Sequence, residues 1–268
     1  MSIGTKHGLD AIEAAFIEAE SAERAAFLPY FPIGYPSYEE SLEAIVAMAE
    51  EGVDGFEVGI PFSDPLADGP TNQAATQVAL ENGITVRDCL RAVRELRERG
   101  VRQPMLLMGY INPLLAYGVE QFVRDAKAAG ADGMIVPDLP PEEAHIFTGV
   151  CQQENMALVF FLAPTSNPER IALVSEKATG FIYCVSLTGV TGARSQLPPD
   201  LQAFIGQVRA QTDKRLVLGF GISTPEQAQM MNGLMDGFIV GSALVKAGGQ
   251  GTEHVRALAG SLRIALDG

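Results

Sequence analysis

Two carboxylates, Glu57 and Asp68, occur in sequence contexts that favour acid–base chemistry. Glu57 lies in the middle of the short apolar run 54–60, whose composition is typical of a strand buried on both faces of a parallel sheet. Asp68 follows eleven residues later, past a turn-rich segment, in D-P-L-A-D-G-P. The spacing indicates one acid on a strand and a second acid on the loop above it.

Glu57 has no evident partner. Side chains alternate along a strand, so Glu57 shares its face only with Gly55 and Gly59, which predicts empty space on both sides of it. A strand glutamate is more often a member of a structural ion pair, but no predicted strand contains a Lys or Arg, and an unpaired buried carboxylate is costly. Glu57 is therefore a candidate functional residue. For Asp64 and Asp68 taken alone, turn formation or helix capping is the simpler interpretation.

These carboxylates need elements that hold them. The pattern predicts an amphipathic N-terminal helix from about Leu9 to Ala26, followed by eight strands that each precede a helical segment. Ser37 is a predicted N-cap, a helix is predicted to open at Thr85, and 111–118 is predicted to be a loop. The predicted strands span 27–32, 54–60, 105–110, 132–136, 156–162, 181–186, 216–219 and 236–240.

Eight such units in about 240 residues favour a closed (β/α)₈ TIM barrel with an extra N-terminal helix, and residues 1–268 as a single domain. A doubly wound open sheet is the alternative. A weak internal repeat supports closure, because D-G-F, D-G-M, T-G-F and D-G-F open the second, fourth, sixth and eighth strands.

Three Gly-rich stretches, 189–193, 219–223 and 241–243, follow the last three predicted strands. In a barrel these positions lie at the carboxyl end, where backbone N–H groups and a helix N-terminus can bind a phosphate without cations. Any one stretch is equally well explained as a tight turn. Three of them together favour a phosphate site.

Composition excludes several functions. The 268 residues contain 19 Lys plus Arg against 33 Asp plus Glu, and the net charge of −14 opposes binding to nucleic acid or to anionic membranes. We expect a cytoplasmic protein, because the N-terminus has no apolar signal core and no apolar run reaches the ~18 residues of a membrane span. The three cysteines are predicted to be packing residues.

Metal and Schiff-base chemistry are disfavoured. The histidines, His7, His145 and His254, lie in tail or helix patterns, so we expect no metal site. The lysines, at 6, 127, 177, 214 and 246, avoid the carboxyl ends of the strands. Carboxylate acid–base catalysis on a phosphorylated substrate remains.

Seven motifs between Pro29 and Lys246 carry a resemblance to a known family. They are F-E-V-G-I-P-F-S-D-P-L-A-D-G-P, M-G-Y-I-N-P-L-L-A-Y-G, P-D-L-P-P-E-E, L-A-P-T-S, S-L-T-G-V-T-G-A-R, G-F-G-I-S and G-S-A-L-V-K. In the order and spacing of these motifs, the chain resembles the family of tryptophan synthase α subunits. The resemblance implies a lyase of tryptophan biosynthesis that cleaves indole-3-glycerol phosphate to indole and glyceraldehyde 3-phosphate.

The resemblance also implies roles for particular residues. Glu57 matches the family's acid–base residue and Asp68 the carboxylate that accepts from the indole N–H. Thr191, on a loop at 189–197 with the composition of a mobile lid, matches a residue that orients Asp68. The remaining substrate and phosphate positions are Tyr30, Met108, Tyr183, Gly192, Gly219, Phe220, Gly221, Gly241 and Ser242. Tyr30 is a departure, since many members have Phe there, and its hydroxyl needs a partner if it is buried.

The implied partner is a tryptophan synthase β subunit, in an α₂β₂ heterotetramer. The β subunit is expected to hold pyridoxal phosphate, and this chain no cofactor. The positions that match the partner-facing surface are Pro61, Asp64, Asn112 and Asp138.

Two other classes stay open. One is another phosphate-binding barrel of amino-acid biosynthesis, although an indole-forming synthase is expected to carry a strand lysine, which this chain lacks. The other is a regulatory subunit without activity of its own, which the presence of both Glu57 and Asp68 argues against.

Overall fold

The computed structural model describes residues 7–185, 199–219 and 221–268. Eight parallel strands form a closed barrel in chain order, because the first strand pairs with both the second and the eighth. The strands are β1 (Ala26–Pro32), β2 (Phe56–Gly59), β3 (Met105–Met108), β4 (Gly133–Ile135), β5 (Ala157–Leu162), β6 (Ile182–Val185), β7 (Leu216–Gly219) and β8 (Gly237–Val240). The predicted TIM barrel is confirmed, and the open-sheet alternative is wrong.

Helices surround the barrel, and a helix precedes β1 as predicted. They are α1 (Leu9–Ser21), α2 (Tyr38–Glu50), α3 (Pro70–Glu81), α4 (Val86–Glu98), α5 (Ile111–Tyr117), α6 (Val119–Ala129), α7 (His145–Gln153), α8 (Pro168–Lys177), α9 (Pro199–Arg209), α10 (Pro225–Gln229), α11 (Ser242–Gly248) and α12 (Thr252–Ile264), with a 3₁₀ turn at Pro141–Glu143. Among the described residues, no helix is long and apolar enough to cross a membrane.

Helix starts follow the local sequence. The Ser37 side chain accepts a hydrogen bond from the Glu40 N–H, so the predicted N-cap is confirmed. The helix predicted to open at Thr85 begins there, with a capping box between Thr85 and Asp88. These bonds satisfy N–H groups that have no partner within the helix.

Two predicted boundaries are wrong. Helix α1 ends at Ser21 rather than near Ala26, since Glu23 has a positive φ of 57° and Arg24 turns inward to pair with Asp54. The predicted loop at 111–118 contains helix α5, whose first N–H is accepted by Asp138.

The core lies both inside the barrel and between the strands and helices. Strands such as β1, β2, β3 and β8 are buried along their whole length, because the barrel interior covers one face and helices cover the other. Phe27 and Phe238, on the neighbouring strands β1 and β8, stack with ring centroids 5.1 Å apart. All three cysteines are free and buried, as predicted.

The internal repeat has a structural cause at the amino end of the barrel. The carboxylate before β2, Asp54, accepts the backbone N–H of Phe27 at 2.8 Å, across the gap to the preceding strand. The equivalent acceptors before β4, β6 and β8 bind the N–H groups of Met105, Leu158 and Leu216. Each even-numbered strand is thus joined at its start to the odd-numbered strand before it.

Candidate active site

A cavity of about 680 Å³ opens at the carboxyl ends of the strands. In a (β/α)₈ barrel, this is the end at which loops assemble active sites. The predicted site residues that line it are Tyr30, Glu57, Asp68, Met108, Tyr183, Gly221, Gly241 and Ser242. One cavity therefore brings together the two carboxylates and two of the three Gly-rich stretches.

Glu57 lies on β2 with a 4% exposed surface, opposite Tyr30 in the register of β1 and β2. Among the described residues it has no ion-pair partner. Burial, together with the charge of nearby Asp68, raises the pKa of Glu57 from 4.5 to about 8. Glu57 is therefore protonated at neutral pH and can act as an acid.

The prediction of empty space beside Glu57 is wrong. A Cβ added at Gly59 would lie 2.6 Å from the Tyr30 hydroxyl oxygen, and one at Gly55 would lie 3.3 Å from Pro104. The glycines make room for side chains from neighbouring elements. Tyr30 in particular fills the space above Gly59, and the burial of Glu57 is the largest cause of its raised pKa.

Asp68 lies on the loop between β2 and α3 and is half-buried. Its Oδ2 accepts a hydrogen bond from the Tyr110 hydroxyl at 3.1 Å, and Asn72 is a second side-chain partner. Burial raises the pKa of Asp68, whereas the hydrogen bonds from Tyr110 and Asn72 lower it. These donors favour the ionised form, which is the form that can accept a proton or an N–H bond.

Two tyrosines form walls of the cavity. The Tyr30 hydroxyl bonds to Thr76 on α3, so the predicted need for a buried partner is met. Burial, then the charges of Asp68 and Glu57, raise the pKa of Tyr30 well above 10. Tyr183 packs against Phe161 with ring centroids 4.7 Å apart.

Glycines shape the part of the cavity that follows β7 and β8. Gly219 ends β7, and a Cβ there would overlap the Tyr183 ring, so this close approach requires glycine. Gly221 has φ 85°, which favours glycine, and it lines the cavity. Gly241 and Ser242 open helix α11 at the cavity, in the geometry in which helix N–H groups bind anions.

Other predicted residues fall elsewhere. Thr191 and Gly192, with the loop at 189–197, and Phe220 lie outside the described residues. Of the positions predicted to face a partner, Asp64, Asn112 and Asp138 are exposed on loops or the start of α5 at the carboxyl end, whereas Pro61 is buried. Among the described residues, no three His, Cys, Asp or Glu side chains group as metal ligands.

Several residues of the cavity and its margin were not predicted from the sequence. Asn72, Phe161, Val185 and Ile222 line the cavity, and Tyr110 bonds to Asp68 from outside this lining. Tyr110 and Val185 could have been found from their positions, because Tyr110 lies just after β3 and Val185 is the last residue of β6, both at the carboxyl end of the barrel. Asn72 gave no signal, since it lies within a helix and reaches the site by its side chain.

Comparisons with known proteins agree with this geometry. The family model for the tryptophan synthase alpha chain matches residues 16–263. The tryptophan synthase alpha chain of Chloroflexus aggregans is 50% identical over 237 residues, covering 88% of this chain and 89% of that one. That of Roseiflexus castenholzii is 49% identical over 234 residues, covering 87% and 90%.

Solved structures are similar over nearly the whole chain. A crystal structure of tryptophan synthase from M. tuberculosis superposes with a TM-score of 0.89 at 38% identity, covering 96% of this chain and 98% of that one. The tryptophan synthase alpha chain of Legionella pneumophila has a TM-score of 0.87 at 34% identity, covering 96% and 97%.

Proposed function

The chain belongs to the tryptophan synthase alpha chain family, and from this premise we propose how its residues carry out the reaction. The enzyme is a carbon–carbon lyase that cleaves indole-3-glycerol phosphate in tryptophan biosynthesis. The observation that carries the proposal is a buried carboxyl group, Glu57, whose pKa is raised to about 8 and which shares a cavity with Asp68. One acid is protonated and the other is held by donors that favour its ionised form.

In the proposed mechanism, Glu57 donates its proton to C3 of the indole ring, which leaves positive charge on the ring nitrogen. Ionised Asp68 accepts a hydrogen bond from the indole N–H and stabilises that charge as it develops. The Glu57 carboxylate then removes the proton of the adjacent glycerol hydroxyl. The C–C bond breaks, its electron pair returns to the indole ring, and indole and glyceraldehyde 3-phosphate leave.

The phosphate is held by backbone rather than by cations. We assign its site to Gly221, Gly241 and Ser242, together with Gly192, because the first three line one cavity and Gly241 and Ser242 begin helix α11 there. The resemblance to the family assigns Gly219 and Phe220 to the same substrate site. The indole ring lies against Tyr30, and Met108 forms part of the pocket wall. Tyr183 lies beside the substrate chain, and Thr191 orients Asp68.

The proposal includes a partner. A tryptophan synthase β subunit, holding pyridoxal phosphate, docks in an α₂β₂ heterotetramer on the surface of Pro61, Asp64, Asn112 and Asp138, and receives the indole. This chain supplies no cofactor. The family's biosynthetic role supports a cytoplasmic location, and closure of one barrel by all eight strands supports a single domain over 1–268.

The test is indole release from indole-3-glycerol phosphate by the isolated chain. Glu57→Gln is expected to fold and to lose about 10²- to 10⁴-fold in kcat, since it removes a general acid–base group. Glu98→Gln, an exposed residue of α4, is the matched control for loss of one carboxylate. Wild-type rates in Glu57→Gln would contradict its assignment, and activation of a β subunit without indole release would favour the regulatory alternative.

A further inference from the structure

Tyr110 links the end of β3 to the loop that carries Asp68. Its hydroxyl oxygen accepts the backbone N–H of Ala67 at 2.9 Å and donates to Asp68 Oδ2 at 3.1 Å. One phenol thus satisfies both the backbone and the carboxylate of adjacent loop residues. Tyr110 itself is only 4% exposed.

The Tyr110 ring is itself held in place. It stacks on Phe62 with ring centroids 5.3 Å apart and an interplanar angle of 29°. The next residue, Ile111, donates its backbone N–H to Asp138 Oδ1 at 2.9 Å, which fixes the start of α5. Tyr110 lies between β3 and α5, and the Asp138 bond fixes the helix that follows it. Phe62 lies on the same loop as Asp68, so the ring stack is a further contact between Tyr110 and that loop.

Besides Tyr110, the side chain of Asn72 on α3 bonds to Asp68, and the loop around Asp68 has few other anchors. Its internal bonds are short in range, such as the Asp68 N–H to the Pro65 carbonyl at 3.0 Å. Gln73, on the following helix, donates to the Asp68 carbonyl at 2.9 Å. Leu66 is 92% exposed, so packing does not hold the tip of the loop. The bonds to Tyr110 tie this loop to the segment between β3 and α5.

We propose that Tyr110 is a positioning residue for the cleavage reaction, whose hydroxyl holds the Asp68 carboxylate in the orientation that receives the indole N–H. This inference rests on the proposed role of Asp68. Tyr110 does not touch the reacting atoms, and it acts by limiting the positions that Asp68 can occupy before substrate arrives.

The same bond tunes the charge of Asp68. The titratable groups that face Asp68 are Glu57 from β2, Tyr30 from β1, Tyr183 from β6 and Tyr110, with the amide of Asn72 from α3. Burial raises the pKa of Asp68, and the donors Tyr110 and Asn72 lower it. Loss of the Tyr110 donor raises the pKa of Asp68 further, so the ionised form is lost at a higher pH than in the wild type.

Tyr110→Phe tests the proposal because it removes both hydrogen bonds and keeps the stacked ring. Tyr117→Phe is the matched control, since Tyr117 lies on α5 and its hydroxyl donates to Asp125 at 2.7 Å, away from the cavity. Both variants and the wild type are compared by indole release across the acidic and neutral pH range, and by thermal unfolding.

We expect Tyr110→Phe to lower kcat by about 10- to 100-fold, the effect of a lost hydrogen bond to a charged group, with a smaller change in KM. The acid limb of its pH profile should move to higher pH, while Tyr117→Phe keeps the wild-type profile. A wild-type kcat, or a lower kcat with an unmoved acid limb, would overturn the inference. Asp68→Asn is measured alongside: wild-type activity in that variant would overturn the role of Asp68 itself, and this inference with it.

Discussion

Replacing Glu57 by Gln should make the protein more stable at alkaline pH while it lowers kcat by about 10²- to 10⁴-fold. In the fold, the pKa of Glu57 is raised from 4.5 to about 8 by burial and by the charge of Asp68. Below the ordinary pKa of 4.5, Glu57 is protonated in both the folded and unfolded states, so the free energy of unfolding does not change with pH through this group. Between the two values, the unfolded chain releases its proton while the folded chain keeps it, and the free energy of unfolding falls as pH rises.

The size of this effect follows from the two pKa values. Each pKa unit corresponds to about 1.4 kcal/mol, so the wild type loses on the order of 5 kcal/mol of stability across this interval. Above the folded-state pKa the loss is complete and constant. Because a domain has only about 5–15 kcal/mol of stability, the effect is large enough to measure.

Urea unfolding over a series of pH values provides the assay. The wild type and Glu57→Gln should have similar free energies of unfolding at acidic pH, since Gln has the shape of a protonated Glu. Their curves should separate as pH rises, with the variant more stable by several kcal/mol above pH ~8. Glu98→Gln should follow the wild type. Parallel curves for wild type and Glu57→Gln would refute the argument that Glu57 is buried without compensation.

Three further results are expected. The pH profile of kcat/KM should be bell-shaped. Activity should fall above about pH 8 because Glu57 must be protonated, and on the acid side it should fall at a pH above the ordinary aspartate pKa because Asp68 must be ionised. A flat profile through pH 8 would contradict this. Gly219→Ala should lower the free energy of unfolding by about 1–3 kcal/mol and raise KM, since its Cβ overlaps the Tyr183 ring; unchanged thermal unfolding would disprove the close approach. Arg24→Met should lower the free energy of unfolding by about 3–5 kcal/mol in urea titrations, with kcat of the folded enzyme unchanged, because it leaves Asp54 buried without its cation.

Much of the fold was predictable because it depends on local pattern. Every predicted strand overlaps an observed one, and the caps Ser37 and Thr85 start the helices expected of them. The end of α1 was not predictable in this way. It depends on the pairing of Arg24 with Asp54, which is thirty residues away in the chain and has no periodic signal.

The candidate site was predictable where chemistry stands out from its surroundings. Glu57 is conspicuous because it is a carboxylate in an apolar run, and the glycines are conspicuous by number. Asn72 and Tyr110 are not, since an amide in a helix and a tyrosine after a strand are ordinary residues. Their roles arise only when the barrel closes and brings α3 and β3 beside Asp68.

Asp54 and Glu57 show how one segment serves both stability and chemistry. Both carboxylates are buried and are three residues apart. Asp54 faces the amino end of the barrel, where the Arg24 guanidinium bonds it at 2.6 and 2.8 Å and the Phe27 N–H at 2.8 Å, so its burial is compensated. Glu57 points into the cavity, with no cation among the described residues to compensate it. A carboxylate that is costly to bury and has no structural partner does not help the fold, so its presence here is explained by the proton it can give and take.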